Sequence, residues 1–230
     1  MKAVLIDDER LARLELRRLL AVHPNVEIVA EAANAAEARA AIRAHEPDLL
    51  FLDIQMPGET GFALLESLDR APLVIFTTAY DQYALKAFEV SALDYIVKPV
   101  VPARLAAAIS KLPVAEESPR KALDQVFVRD GDRCWFIRVN EIALLESEGN
   151  YTRLHFGKER PLILRSLAHL EERLDPSVFF RASRKHIINL GWVESVITAV
   201  NGALVAILKG GVEVELSRRQ SQKFRDTLSL

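Results

Sequence analysis

The first 112 residues alternate two kinds of pattern without a break, and nothing else in the chain restricts its fold as tightly. Short apolar or β-branched runs (AVLI at 3–6, VEIVAE at 26–31, LLFLD at 49–53, LVIFTT at 73–78 and YIV at 95–97) are separated by stretches rich in Ala, Leu and Arg. Those stretches, LARLELRRLLAVH, AAEARAAIRAH, GFALLESL, QYALKAFEV and ARLAAAISKL, repeat their apolar residues at three- and four-residue spacing, the mark of amphipathic helices. Strand and helix in strict alternation call for a parallel sheet covered by helices on both faces. An uninterrupted run such as LLFL suits a strand buried on both sides better than a half-exposed hairpin. Residues 1–112 are therefore predicted to form a doubly wound α/β domain around five parallel strands.

The rhythm stops near Leu112. LPVAEESPRK mixes Pro, Ser and charge and reads as a linker over residues 113–124. Beyond it the period changes to two: VFVRDGDRCWFIR looks like a hairpin turning at Asp130-Gly131-Asp132, and IALLESEGNYTRLHF and LVAILKGGVEVEL repeat the theme. Only RSLAHLEERL and SRRQSQKFRDTL look helical, so residues 125–230 are predicted to be a smaller, mostly-β domain. Two domains agree with 230 residues of which 50% are hydrophobic.

Charge divides the halves as well. Residues 1–112 hold 12 Lys+Arg against 16 Asp+Glu, and residues 121–230 hold 17 against 14. A surplus of three favours nucleic acid only slightly. The single cysteine, Cys134, can make no internal disulfide, and MKAVLIDDER lacks a basic leader followed by an apolar core. With no run of eighteen apolar residues, a soluble, cytoplasmic protein away from membranes is expected.

In a parallel α/β sheet, functional groups gather beyond the carboxyl ends of the strands. Asp7 and Asp8 end the first run, Asp53 the third and Thr78 the fourth, and Lys98 follows the fifth. An Asp at a strand end is ordinarily a cap or turn residue. Five such residues on four of five strands are hard to obtain from capping alone. Three clustered carboxylates resist joint ionisation unless a cation sits among them, and an all-oxygen set of this kind suits Mg2+. With a lysine and a hydroxyl nearby, such a site can stabilise a phosphoryl group as it transfers to a carboxylate of the protein.

IDDE at 6–9, LDIQMPG at 52–58, FTTAY at 76–80 and DYIVKP at 94–99 together resemble the receiver domain of two-component response regulators, a flavodoxin-like fold. The resemblance implies that a sensor histidine kinase phosphorylates Asp53. It implies that Mg2+ is held by Asp8, Asp53 and the backbone carbonyl of Gln55, with Asp7 as the partner acid. Thr78 and Lys98 would bind phosphoryl oxygens, Thr78 being preferred to Thr77 because it directly precedes Ala79. Tyr95 matches an aromatic switch residue, and residues 80–90 and 94–100 match the face used for homodimerisation. A hydrolase of the haloacid dehalogenase type also places an Asp after an apolar strand, but needs an acid two residues later, where Gln55 stands. The chain is accordingly read as a regulator rather than an enzyme, with slow self-dephosphorylation only.

FFRASRKHIINL at 179–190 concentrates Arg181, Arg184, Lys185 and His186. With ESEGNYTRLHF at 146–156 and ELSRRQSQKF at 215–224, it makes residues 125–230 resemble a LytTR-type DNA-binding domain. That resemblance implies that Thr152 or Arg153, Arg184 with Lys185, and Arg218 read duplex promoter DNA from loops on a β scaffold, as a dimer on tandem elements. Arg181, flanked by Phe180, could instead pair with an internal acid. The alternative for this half is a module that binds a protein or RNA partner; single-strand readers usually display aromatic platforms, and only Tyr151 and His155 lie near a candidate loop.

Overall fold

The computed structural model describes residues 1–79, 92–113, 125–131, 133–200 and 202–227. The helix expected from QYALKAFEV, the linker at 114–124 and residues 80–90 of the expected dimer face lie outside them. The described chain divides into two compact units, Met1–Ile137 and Arg138–Leu230.

In the first unit, β1 (Lys2–Ile6), β2 (Glu27–Ala32), β3 (Leu49–Leu52), β4 (Leu73–Thr78) and β5 (Asp94–Val97) form one parallel sheet in the order β2-β1-β3-β4-β5. This is the flavodoxin-like order, which reverses direction between β1 and β3. Burial on both faces explains the unbroken apolar strands: all four residues of β3 are buried. One face carries α1 (Arg10–Leu20) and α4 (Pro102–Ile109), whose Leu16, Leu19, Leu20, Leu105 and Ile109 pack on Leu5, Phe51 and Ile75. The other carries α2 (Ala35–His45) and α3 (Gly61–Ser67), packed on Val4, Ile6, Leu50, Leu52 and Phe76. Asn34 and Thr60 cap α2 and α3 by accepting from Glu37 N and Ala63 N, which fixes where each helix begins.

The same unit includes a two-stranded sheet, β6 (Gln125–Asp130) and β7 (Arg133–Arg138). The turn lies where expected, and Gly131 supplies its left-handed residue with φ of 59°. This hairpin packs on α3. Phe127 stacks on Phe62 at 6.1 Å between ring centres and meets Phe136 edge-on at 5.0 Å, while Phe62 also touches Phe76 at 5.2 Å. Gln125 fastens its start: Ala71 N donates to Gln125 O at 2.8 Å and Gln125 Nε2 donates to Pro72 O at 3.1 Å. The sequence reading placed these strands with the second domain, from residue 125, whereas the compact units divide at 137/138. Period-two alternation identifies the strands but not the surface that covers their apolar faces.

In the second unit, β8 (Leu144–Glu148), β9 (Tyr151–His155), β10 (Leu162–Ile163), β11 (Phe179–Arg181) and β12 (His186–Asn189) form an antiparallel sheet in the order β10-β9-β8-β12-β11. A second antiparallel sheet joins β13 (Val193–Thr198), β14 (Leu204–Leu208) and β15 (Glu213–Glu215). The two short helices are α5 (Leu167–Glu171) and α6 (Arg218–Thr227). Leu144, Ile188, Leu204, Leu208, Val214 and Phe224 make the core, with Phe180 edge-on to Phe224 at 5.1 Å. Asn189 is buried at the end of β12, where its amide donates to Ile142 O at 2.9 Å and accepts from Gly191 N at 2.9 Å.

Candidate functional site

The parallel sheet delivers its acids to one edge. Asp7 and Asp8 follow β1 and Asp53 follows β3, and one oxygen from each lies within 4.8 Å of the others. The backbone fixes them: Asp53 N donates to Ile6 O at 2.8 Å and Asp7 N to Ala32 O at 3.1 Å, continuing the ladder past the strand ends. Lys98, after β5, reaches across. Its ammonium lies 2.8 Å from both Asp7 Oδ2 and Asp53 Oδ2 and 3.9 Å from Glu9. The Lys98–Pro99 bond is cis.

Burial sets the electrostatics. Asp7 and Asp53 are each 5% exposed. Burial pushes the Asp7 carboxyl above the ordinary aspartate range, and the Lys98 contact only partly offsets it. For Lys98, burial disfavours the charge, but hydrogen bonds to Asp53 and Asp7 outweigh it and hold the ammonium above the usual lysine value. One cation thus serves two buried carboxylates, with a third carboxylate close by and uncompensated by it. An all-oxygen set with surplus negative charge fits a hard divalent cation such as Mg2+.

The cleft beside this cluster is walled by Asp8, Asp53, Gln55, Met56, Pro57, Thr60 and Ala79. Gln55 N donates to Asp53 Oδ1 at 3.1 Å, so its backbone is folded back onto the acid. Thr78 is buried at the end of β4 and its carbonyl accepts from Lys98 N at 2.7 Å. Thr77 lines an adjoining pocket with Asp7, Lys98 and Pro99. Tyr95 is half-buried on β5, next to the side chains of α4, with Arg104 over its ring at 5.9 Å.

Two neighbours were missed by sequence reasoning. Gly61 opens α3 so close to the acid loop that a Cβ there would lie 2.3 Å from the Asp53 carbonyl oxygen. Glycine in a first helical turn costs stability and so hints at such an approach. Asp94, buried at the start of β5, binds Arg104 Nη1 at 2.7 Å and Lys111 at 3.0 Å. Burial opposes its ionisation, yet these cations hold its carboxyl below the ordinary range. No local spacing signals a cluster that joins a strand to the helix after it.

In the second unit the expected basic residues separate into two kinds. Arg184 and Lys185 are exposed at the β11–β12 turn, and they line one cleft with Ser183, His186 and Ser217. Ser217 N donates to Ala182 O at 2.9 Å, which ties the start of α6, with exposed Arg218, to the same turn. Arg153 is partly withdrawn. It pairs with Glu148, and its Nη1 donates to Arg160 O at 2.8 Å. Thr152 corrects the expectation: it is fully buried and its hydroxyl donates to Arg165 O at 2.7 Å. Strand alternation turns this side chain inward and takes it out of reach of a ligand.

Behind the turn, Glu146 bridges His155 at 3.1 Å and His186 at 3.6 Å. Burial, reinforced by Arg160, pulls the His155 imidazole below its usual range, although Glu146 acts the other way.

Comparison with known proteins also finds two domains, the second match beginning at residue 132, ahead of the 137/138 boundary of the compact units. A family model described as the response regulator receiver domain matches residues 3–110, and one described as the LytTr DNA-binding domain matches residues 132–229. The chain is 34% identical over 243 residues to the sensory transduction protein LytT of Enterococcus faecalis, covering 100% of both. It is 36% identical over 236 residues to a response regulatory protein of Vibrio cholerae, covering 99% of this chain and 98% of that one. It is 34% identical over 242 residues to the transcriptional regulatory protein BtsR of Escherichia coli K12, covering 100% of both. The chain therefore belongs to the two-component response regulators that join a receiver domain to a LytTR DNA-binding domain. Among the described residues no helix is long and apolar enough to cross a membrane.

Proposed function

We propose that Asp53 accepts a phosphoryl group from a sensor histidine kinase and that its state governs binding of promoter DNA by the second domain. The observation that carries this reading is the Lys98 ammonium held 2.8 Å from both Asp7 and Asp53 at the edge of the sheet. An Asp53 oxygen attacks phosphorus, the bond to the donor imidazole breaks, and the imidazole departs with a proton, leaving an acyl phosphate on the protein. Asp8, Asp53 and the Gln55 carbonyl would hold Mg2+, which when bound supplies positive charge for the phosphoryl oxygens, and Asp7 orients what surrounds it.

Modification replaces one negative charge by nearly two and adds acceptor oxygens. Lys98 then gains a stronger partner than the carboxylate it holds now, and the Thr78 hydroxyl gains an acceptor. Tyr95, on the strand between them and α4, registers the change. The face at residues 80–90 and 94–100 follows, and two protomers pair through it. Without a partner kinase only slow self-dephosphorylation resets the site, in a protein of the cytoplasm.

In the second domain Arg184, Lys185 and Arg218, with Arg153 at the margin, meet phosphates and base edges of the duplex. Pairing of protomers on tandem elements raises effective concentration without new contacts, which compensates for a weakly basic domain. Random-sequence duplex selection with the intact protein, with and without a small phosphodonor, tests the whole scheme. The expected result is enrichment of paired short elements, strengthened by phosphodonor and no longer so in Asp53→Asn. Absence of enrichment in either state with folded protein would overturn the DNA reading and send the second domain to a protein or RNA partner.

A further inference from the structure

Every backbone carbonyl of the turn that presents Arg184 and Lys185 already has a donor. Ala182 O accepts from Ser217 N at 2.9 Å and Lys185 O from Ser147 N at 2.8 Å, which anchors the two ends of the turn. The two middle carbonyls are held by one side chain. Arg181 Nε donates to Ser183 O at 2.6 Å and a terminal nitrogen of the same guanidinium donates to Arg184 O at 2.8 Å. Its other terminal nitrogen donates to Glu171 on α5 at 2.9 Å. The turn is closed from within as well: Lys185 N donates to Ser183 Oγ at 3.1 Å, and Ser183 N and Ala182 N both donate to His186 O at 3.2 and 3.0 Å.

The Arg181 side chain is only 18% exposed and all three of its nitrogens are engaged. It is thus withdrawn from any ligand met by its neighbours, although it stands three residues from Arg184 in a stretch that reads as one basic patch. A planar fork with donors in fixed directions can span two successive carbonyls; a lysine ammonium is a point charge on a flexible stem and cannot hold both in the same plane. Base edges are read by side chains whose backbone is held in register, whereas attraction to phosphates tolerates displacement.

We infer that Arg181, aligned by Glu171, is a positioning residue that fixes the Ser183–Lys185 backbone and thereby sets sequence discrimination rather than overall affinity for nucleic acid. This rests on the DNA reading of the second domain. It also separates two roles inside one cluster of like charges: Arg184 and Lys185 face outward to the duplex, and Arg181 faces inward to the turn.

The test uses the full chain and two duplex probes, the element most enriched by the wild-type protein in random-sequence selection and a scrambled duplex of equal length. Affinity for both is measured across a salt series for wild type, Arg181→Lys, Glu171→Gln and Arg184→Ala, with circular dichroism to confirm folding. Arg181→Lys is expected to weaken the selected duplex by about tenfold while leaving scrambled-duplex affinity and its salt slope within about twofold of wild type. Glu171→Gln is expected to move the same ratio in the same direction by about threefold, keeping the proposal testable where Arg181→Lys fails to fold. Arg184→Ala should lower the salt slope as well, which a positioning residue does not do. An unchanged ratio in folded Arg181→Lys, or in Glu171→Gln where that variant alone folds, overturns the inference, as does parallel loss on both probes. Failure of the wild-type chain to select any duplex overturns the DNA reading itself, and the positioning role with it.

Discussion

The two candidate sites solve opposite problems. At the receiver edge the two acids Asp7 and Asp53 are buried, and their geometry comes from the carboxyl ends of parallel strands whose ladder hydrogen bonds run on through them. At the β11–β12 turn the functional charges are exposed, and the rigidity lies in the backbone beneath them. A site that must bind a small, highly charged group gains from low dielectric and shared protons. A site that must meet a long polyanion needs its cations in water and its register fixed from behind. The difference teaches where to look for supporting residues: among opposite charges in the first case, among carbonyl-binding side chains in the second.

The largest effect expected from breaking this contrast is at the buried site. Asp53→Asn should abolish phosphoryl incorporation from a small phosphodonor, scored by intact-protein mass; stoichiometric incorporation in that variant would place the acceptor elsewhere. Next, Arg184→Ala should lower affinity for a selected duplex by about tenfold or more while the thermal midpoint stays put. Thr152→Val should do the reverse, costing about 1 kcal/mol of stability through loss of the hydroxyl's hydrogen bond to Arg165 O and leaving binding unchanged. If Thr152→Val weakens binding as Arg184→Ala does, the inward assignment of Thr152 fails.

Gly61→Ala sharpens the other half of the comparison. A methyl group 2.3 Å from the Asp53 carbonyl oxygen forces the acid loop and the start of α3 apart. A loss of about 1–3 kcal/mol in denaturant unfolding of the receiver is expected, together with slower phosphoryl incorporation. Wild-type rates of incorporation would show that the loop yields freely.

The smallest effect is a pH dependence confined to the second domain. His155 has Nε2 on Glu146, while its buried Nδ1 has no hydrogen-bond partner among the described residues, so protonation would create a donor without an acceptor. Its folded pKa is depressed, whereas the unfolded chain titrates near the ordinary value of about 6.5. Above that value the imidazole is neutral in both states and its contribution is complete. As pH falls below it, the unfolded chain binds a proton that the folded domain resists, and stability declines. Denaturant midpoints at pH 7.5 and 5.5 should therefore differ more in wild type than in His155→Gln; equal differences would exclude His155 as the source.

The sequence made the parallel sheet legible because strands buried on both faces leave continuous apolar runs, as LLFL does in β3. The acid site was legible for a related reason: once strand order is known, the residue after each strand has a known edge. Less could be read in the second half. Thr152 and Arg153 are equally polar neighbours, and only the assembled sheet decides which points inward. Arg181 and Glu171 pair through a helix, a loop and a strand, so their ten-residue separation has no local meaning. Nor does period-two alternation say that Phe127 and Phe136 will cover α3.

That last contact has a practical side. Whoever cuts this chain at Leu112 to obtain a free-standing receiver removes the rings that stack on Phe62 and the glutamine that caps the approach to β4. The excised piece would present bare aromatic surface beside the helix that follows the acid loop, and would be prone to clump in the tube. A swap of receivers between such regulators, in the laboratory or by recombination, has to keep Phe62 matched to the Phe127 ring that covers it.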